Sequence, residues 1–570
     1  MWKKMTAVVL AALMLCQLTA CGASSTDDTG ITKDAETESI AQDETDTSGS
    51  IVTNLEKIDM SKWMYHSDDN VYYQIGISYC EVPADASYEN LAIFVPGNYF
   101  SGTDNGDGTY TCEIDLDATV NGYTAETAPI VMPIETPGYS AQAALKAYTS
   151  LTEYMESGIV YVHAGCRGRD AGAPAGVTDI KAAIRYLRYI DDITPGDAEK
   201  IFVFGMSGGG AQSALVGATG DSALYDPYLE QIGAVQGVSD AVYGSMDWCP
   251  ITNLDSADEA YEWMMGVTRS GLSDEEQAIS DAMAASFADY INQVEIKDEN
   301  GNVMTLEESE DGIYQAGSYY DYIVGVIEES LNNFLSDTEF PYDSSASSGN
   351  DGGPGGMGGF GGPRGNGDFA GPDGDGDFDR FGKPEGIENG GKEFRGMDGK
   401  VSYEDQDDIV RTETSNGITI SGTYETVSDY IDALNANGTW VTYDAETNTA
   451  TITGVSEFVK AFKGVSKNLG AFDQLDAGQG ENELFGYGDG NGAHFDALLA
   501  EILKELESSY ASDFEEDLQK TDAVGYTPVQ RLNMYTPLYY LLESKEGYRT
   551  STPAKHWRIR TGIAQSDTSL

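Results

Sequence analysis

Between residues 63 and 255 short apolar runs alternate with segments of helical period. Residues 90–100 (NLAIFVPGNYF) and 130–135 are strand-like, rich in aliphatic and aromatic side chains and bounded by turn formers. Residues 145–156 place apolar side chains at helical spacing and lead into the apolar run 158–164. Residues 177–189 (VTDIKAAIRYLRY) repeat that spacing, after which Pro195-Gly196 turns the chain into a strand over 200–205. Strands separated by helices predict βαβ units, hence the α/β class with a largely parallel sheet.

Beyond this region the pattern changes character. Residues 256–343 are helical, and 344–400 are dominated by Gly with Asp, Pro and Phe, a composition that cannot bury enough apolar surface to offset chain entropy. An α+β segment resumes over 401–525, with WVTYD and TATITG as a hairpin. Residues 526–570 return to the first unit through the strand-like run HWRIRTGI. Residues 56–255 therefore form a core, and two stretches flanking a Gly-rich insertion form a large α+β lid. Within the insertion, DGDGDFD tests a calcium loop and fails it, because Phe378 and Pro384 occupy the positions that need a glycine and a final glutamate. No metal and no cofactor are implied.

The N-terminus sets the compartment. Lys3 and Lys4 precede an apolar run over 7–18, followed by Leu18-Thr19-Ala20-Cys21. That run is too short to span a bilayer, which takes roughly 20 apolar residues. The segment resembles a bacterial lipoprotein signal over residues 1–20, with Cys21 as the lipidated residue. A polar tether over 21–55 would hold the protein at the extracellular face of the cell membrane. The formal charge of −63 removes nucleic acid from the partners, since phosphate backbones need basic patches. Cys80 and Cys112 fall in two strand-like runs, compatible either with a cross-strand disulfide or with two buried thiols.

The chemistry concentrates at Gly205-Met206-Ser207-Gly208-Gly209, between the strand IFVF and a helix-competent segment. That context makes Ser207 a candidate nucleophile on a strained turn, with Gly208 donating its N–H to an oxyanion. The second donor is expected from the loop HAGCRG after the strand IVYV, as Gly165 or Cys166. In this reading His163 is a packed strand-end histidine and not the base.

The segments VHAGCRGRDAGAPAGVTDIKAAIRYLR, GMSGGGAQSALVGATGD, YDPYLEQIGA and WCPITNLDSADEAYEW together resemble the bacterial tannases and their feruloyl-esterase-like α/β-hydrolase relatives. The resemblance implies an α/β-hydrolase sheet with an inserted lid, acting on galloyl-type esters of small molecules or plant polyphenols. It also implies substrate-binding roles for Lys467 and Glu481, fourteen positions apart, and for Asp567. Vicinal phenols are donors and carboxylates accept them in bidentate fashion.

Two positions depart from the family pattern. Gln565 stands where the triad acid is expected, which passes that role to Asp567. The only histidines are His66, His163, His494 and His556, all before the acid. In this family a further strand, the histidine loop that carries the base and a closing helix follow the acid. The chain is therefore expected to be a member lacking its C-terminal strand and helix. The alternatives are a general carboxylesterase or feruloyl esterase, or a catalytically impaired surface binding protein. A serine exopeptidase would bring the repeated strands of a propeller, and no such repeat is present.

Overall fold

The computed structural model describes residues 51–310, 313–344, 401–404, 410–414 and 417–561. The lipobox with Cys21, nearly all of the Gly-rich insertion and Asp567 lie outside these residues.

Eight strands form one mixed sheet: β1 (Met64–His66), β2 (Val71–Ser78), β3 (Asn90–Pro96), β4 (Pro129–Ile134), β5 (Val160–Ala164), β6 (Asp197–Met206), β7 (Gly244–Trp248) and β8 (His556–Arg560). Their order is β1-β2-β3-β5-β4-β6-β7-β8, with antiparallel pairing up to β5 and parallel pairing thereafter. The reversal of order at β5 and β4 is what places the ends of β4 and β6 side by side, with Ile134 opposite Gly205. Ligands of open α/β sheets gather at the carboxyl ends of such strands.

The central strands are continuous apolar runs because helices cover both faces. On one face α1 (Thr152–Glu156) packs with Val131, Phe94 and Phe204. On the other, α2 (Ala175–Tyr189) and α3 (Gly208–Ala218) cover Ile130, Met132, Ile201 and Val203. A buried ion cluster ties this face together: Lys181 and Arg185 of α2 both reach Asp240. Removing one partner of such a cluster leaves an uncompensated buried charge.

The lid begins with α4 (Ala257–Met265), α5 (Asp274–Val294) and α6 (Ser318–Asp337). Ser273 starts α5 through a capping box with Glu276, satisfying two otherwise unpaired amides. The hairpin Val441–Asp444/Thr449–Ile452 forms as its alternation implies. It docks on α6 through Asn332, whose side chain both accepts from the Ala450 amide (2.7 Å) and donates to the Ala450 carbonyl (2.8 Å). The two halves of the lid are thus one packed unit despite the 57-residue Gly-rich stretch assigned between them. Helices α7 (Gly480–Phe485), α8 (Ala497–Glu505) and α9 (Pro528–Met534) lead back to β8.

One expectation is corrected and one open alternative is decided. The helix predicted over 145–156 is confined to Thr152–Glu156. Tyr148 instead stacks on His66 (centroids 4.2 Å apart) and packs near Tyr73 and Phe94, so tertiary aromatic packing overrides the local period. Cys80 and Cys112 are not bridged; both are free and buried. Cys80 lies beside Glu89, whereas Cys112 pairs with Gly102 in the separate hairpin Phe100–Asp104/Tyr110–Ile114.

Candidate functional site

Ser207 caps α3 with φ 57° and ψ −125°, a conformation that non-glycine residues adopt only when the surroundings enforce it. Three contacts do so. The Ser207 N–H donates to the carbonyl of Trp248 (2.9 Å) at the tip of the adjacent strand β7. A Cβ at Gly209 would run into the Ile134 carbonyl, and one at Gly205 would lie 2.5 Å from backbone atoms of Gly209. The elbow is therefore held by packing so close that only glycines fit around the serine. Ser207 is part-exposed, and Met206 beside it is 68% exposed, so the turn opens to the space outside the sheet.

The loop after β4 closes the other side of this space. A Cβ at Gly208 would lie 2.9 Å from the Gly138 amide nitrogen, so the two backbone segments nearly touch. Arg169 clamps the loop by donating from Nη1 to the Gly138 carbonyl (2.8 Å) and from Nε to Glu483 on α7. This corrects the expected second oxyanion donor. The Gly165 amide donates to the Asn90 carbonyl (3.0 Å) and the Cys166 amide to the Gln142 carbonyl (2.9 Å), so both are committed. Gly208 lies instead against the Thr136–Tyr139 turn, because β4, and not β5, borders β6. Arg167 of the same motif is structural: it pairs with buried Asp179 through Nε (3.0 Å) and Nη2 (2.7 Å).

Glu481 reaches the same place from the lid. It is nearly buried on α7, a helix packed against the turns Pro137–Tyr139 and Arg169–Ala171. Its charge adds to burial in raising the Tyr139 phenol far above its ordinary value. No ion pair links Lys467 to Glu481 among the described residues; the Lys467 ammonium lies 4.1 Å from the centre of the Phe472 ring, and its charge acts on Asp258.

The loop that carries Lys467 and leads into α7 rests on a buried carboxylate network that the sequence did not disclose. Asp258 of α4 accepts from the amides of Phe472 (2.7 Å) and Asp473 (2.9 Å). Asp473 in turn accepts from His494 Nδ1, Asn482 and the amides of Phe495 and Asp496. Burial, reinforced by Asp473, pushes Asp258 up to about 7. Glu259 and Asp496 are raised well above the carboxylate range by burial and by neighbouring carboxylates, and both oxygens of Glu259 lack a partner. Buried acids without cations resolve this by holding protons. The faint sequence signal was the pairing Asp258-Glu259 inside an apolar helix. Asp247, one residue before Trp248, is likewise fully buried and pushed up to about 8, with one oxygen unpartnered.

None of the four histidines hydrogen-bonds Ser207 among the described residues. His163 is buried against the Ala143 carbonyl (2.8 Å), and burial lowers its basicity. His494 serves Asp473, His66 stacks on Tyr148, and His556 packs on Tyr243. No group of three or more His, Cys, Asp or Glu side chains among the described residues is arranged to hold a metal ion.

Residues 116–297 match the family model described as BD-FAE. No curated protein matches the chain. Among solved structures, the tannin acyl hydrolase of Lactobacillus plantarum is 26% identical, with 88% of this chain and 84% of that one covered and a TM-score of 0.57. A tannin acyl hydrolase in complex with ethyl gallate shares 27% identity over the same shares of the two chains, at a TM-score of 0.57. The Fusobacterium nucleatum tannase is 25% identical, with 88% and 86% covered and a TM-score of 0.58. In its sheet order, its lid and the elbow at Ser207, the chain has an α/β-hydrolase fold similar to that of the bacterial tannases.

Proposed function

We propose that this esterase hydrolyses phenolic, galloyl-type carboxylic esters through an acyl-enzyme on Ser207. The carrying observation is the meeting of core and lid at one point: the Ser207 elbow, the Gly138 loop and Glu481. The Ser207 hydroxyl attacks the ester carbonyl, and the oxyanion is taken up by the amides of Gly208 and Gly138. Collapse expels the alcohol and leaves the acyl group on Ser207; water then attacks the acyl carbon, releasing the aromatic acid and restoring the hydroxyl. Glu481 accepts the phenolic hydroxyls, while Lys467 and Asp567 complete the lid-side and core-side contacts. Asp567 is also assigned the triad acid. The solved relative with bound ethyl gallate supports this substrate class.

The base that activates Ser207 is not His66, His163, His494 or His556, each of which is engaged elsewhere. That observation favours a second reading, a galloyl-binding surface protein with residual hydrolysis only. Without the base, the oxyanion and binding effects alone are worth about 10³–10⁴ over water. In both readings Cys21 is lipidated and holds the protein at the extracellular face of the cell membrane. Release of gallate from ethyl gallate by the full chain separates them: turnover abolished by Ser207→Ala supports the esterase. Saturable gallate binding without turnover supports the binding protein.

A further inference from the structure

A cavity of about 740 Å³ opens behind the substrate side of the fold, between the start of α2 and the lid residues after α7. It is separate from Ser207, Glu481 and Gly138, none of which lines it. Its volume lies within the range of small-molecule sites. Arg531 of α9 forms part of its wall and is only 1% exposed. All its described hydrogen bonds go to carbonyls: Ala173 (2.8 Å), Phe485 (2.8 Å), Leu484 (3.3 Å) and Gly486 (2.8 Å). No carboxylate forms an ion pair with it among the described residues. Asp522 is the foremost charge that favours the guanidinium, and one of its five N–H donors, on Nη1, makes no described hydrogen bond and is left for a ligand. The cavity wall also includes Pro174, Ala175 and Thr178 at the N-terminal, electropositive end of the fifteen-residue α2.

The rest of the wall has a different chemistry. Tyr487 lies 5.2 Å from the Arg531 guanidinium, measured to its ring centre, and its buried hydroxyl has no hydrogen-bond partner. Asp522 lines the cavity and accepts from the Tyr228 hydroxyl on one oxygen and from the amides of Val524 (3.0 Å) and Tyr526 (2.9 Å) on the other. The lining therefore combines a cationic wall, aromatic rings and a hydroxyl-accepting carboxylate. We propose that this cavity is a second ligand site that binds a hydroxylated aromatic carboxylate, its carboxylate toward Arg531 and the start of α2, its phenolic hydroxyls toward Asp522 and Tyr487. This deepens the proposed function, on which it rests for the ligand class: such an acid is the product of that reaction. Arg531 grips the carbonyls at the end of α7, the helix that carries Glu481, so occupancy here is mechanically continuous with the substrate side.

The test is calorimetric titration of the full chain with 3,4-dihydroxybenzoate and with 3,4-dihydroxybenzamide. Ala523 is exposed on the cavity wall, so Ala523→Trp fills the space without disturbing the core. The expected result is two classes of dihydroxybenzoate site. Ala523→Trp removes one of them, and Glu481→Gln weakens the other. Replacing the carboxylate by the amide weakens the class sensitive to Ala523→Trp by about tenfold or more, the loss of one charge-assisted contact. An isotherm unchanged by Ala523→Trp overturns the second site and leaves the proposed function intact. Equal binding of acid and amide by that class overturns the carboxylate assignment. A cavity class that survives while Glu481→Gln has no effect overturns the galloyl reading of Glu481 and not the cavity.

Discussion

The Ser207 amide donates to the Trp248 carbonyl (2.9 Å) across the tips of two parallel strands, and so holds a serine in a left-handed turn beside a helix. The backbone turn at the serine is set by main-chain contacts. Ser207→Ala keeps that bond and is expected to lower ethyl gallate hydrolysis to background, with gallate affinity changed less than about twofold. Substantial residual turnover in a kcat measurement would put the nucleophile elsewhere.

Glu481 sits on a lid helix, pressed against the turn that carries Gly138 and Tyr139. Glu481→Gln keeps the shape and removes the charge. KM for galloyl esters should rise by about tenfold or more, the scale of a charge-assisted hydrogen bond, while KM for p-nitrophenyl acetate stays near its starting value. A parallel change on both substrates would remove the galloyl assignment.

The glycines separate two kinds of requirement. Gly209→Ala drives a methyl into the Ile134 carbonyl and should lower unfolding free energy by about 2 kcal/mol or more. Gly325 is exposed within α6, with nothing within 4 Å of its added Cβ, so Gly325→Ala should stabilise by about 0.5–1 kcal/mol. Urea denaturation of the two variants, compared at matched slope, checks both signs.

Asp247 is neutral in the folded protein until about pH 8, whereas its ordinary value is 3.8. Between these values the native state holds a proton that the unfolded chain has released, so stability falls as pH rises from about 4 to about 8 and levels above. Asp247→Asn removes this group's contribution and should flatten the pH dependence of Tm over that window. Glu259→Gln acts in the same direction, since Glu259 is raised by burial and by Asp258. A slope unchanged in Asp247→Asn would mean that the carboxyl ionises without cost.

Cys80, Cys112 and Cys166 are buried free thiols, and burial pushes Cys112 and Cys166 up to about 12. Cys249 is part-exposed. A thiol reagent should modify Cys249 alone among these four in the native protein and all four after denaturation. Protection of Cys80 and Cys112 from the reagent in denaturant without reductant would restore the disulfide reading.

Local pattern carried a definite part of the structure. The strand–turn–helix around Ser207 was legible because a strained nucleophile turn needs glycines at fixed offsets, and α2 and β8 were legible from apolar spacing. The hairpin 441–452 followed from alternation in the same way. These are short-range consequences of backbone geometry and side-chain period.

What sets the neighbour of the Ser207 turn is strand order. The sequence pointed to the loop after β5; only the crossover that seats β4 against β6 brings the Gly138 turn, and not Gly165 or Cys166, beside Gly208. The same holds for the protons stored on Asp247, Asp258 and Glu259, since a carboxyl's ionisation depends on the solvent and charges around it, and those are assembled by packing. It holds as well for the thiols, whose pairing depends on distance in space. The sequence by itself determined which residues could do chemistry and which local turns they occupy. The tertiary structure alone decided which of them meet, because contacts between distant segments are set by sheet order and burial and leave no periodic trace along the chain.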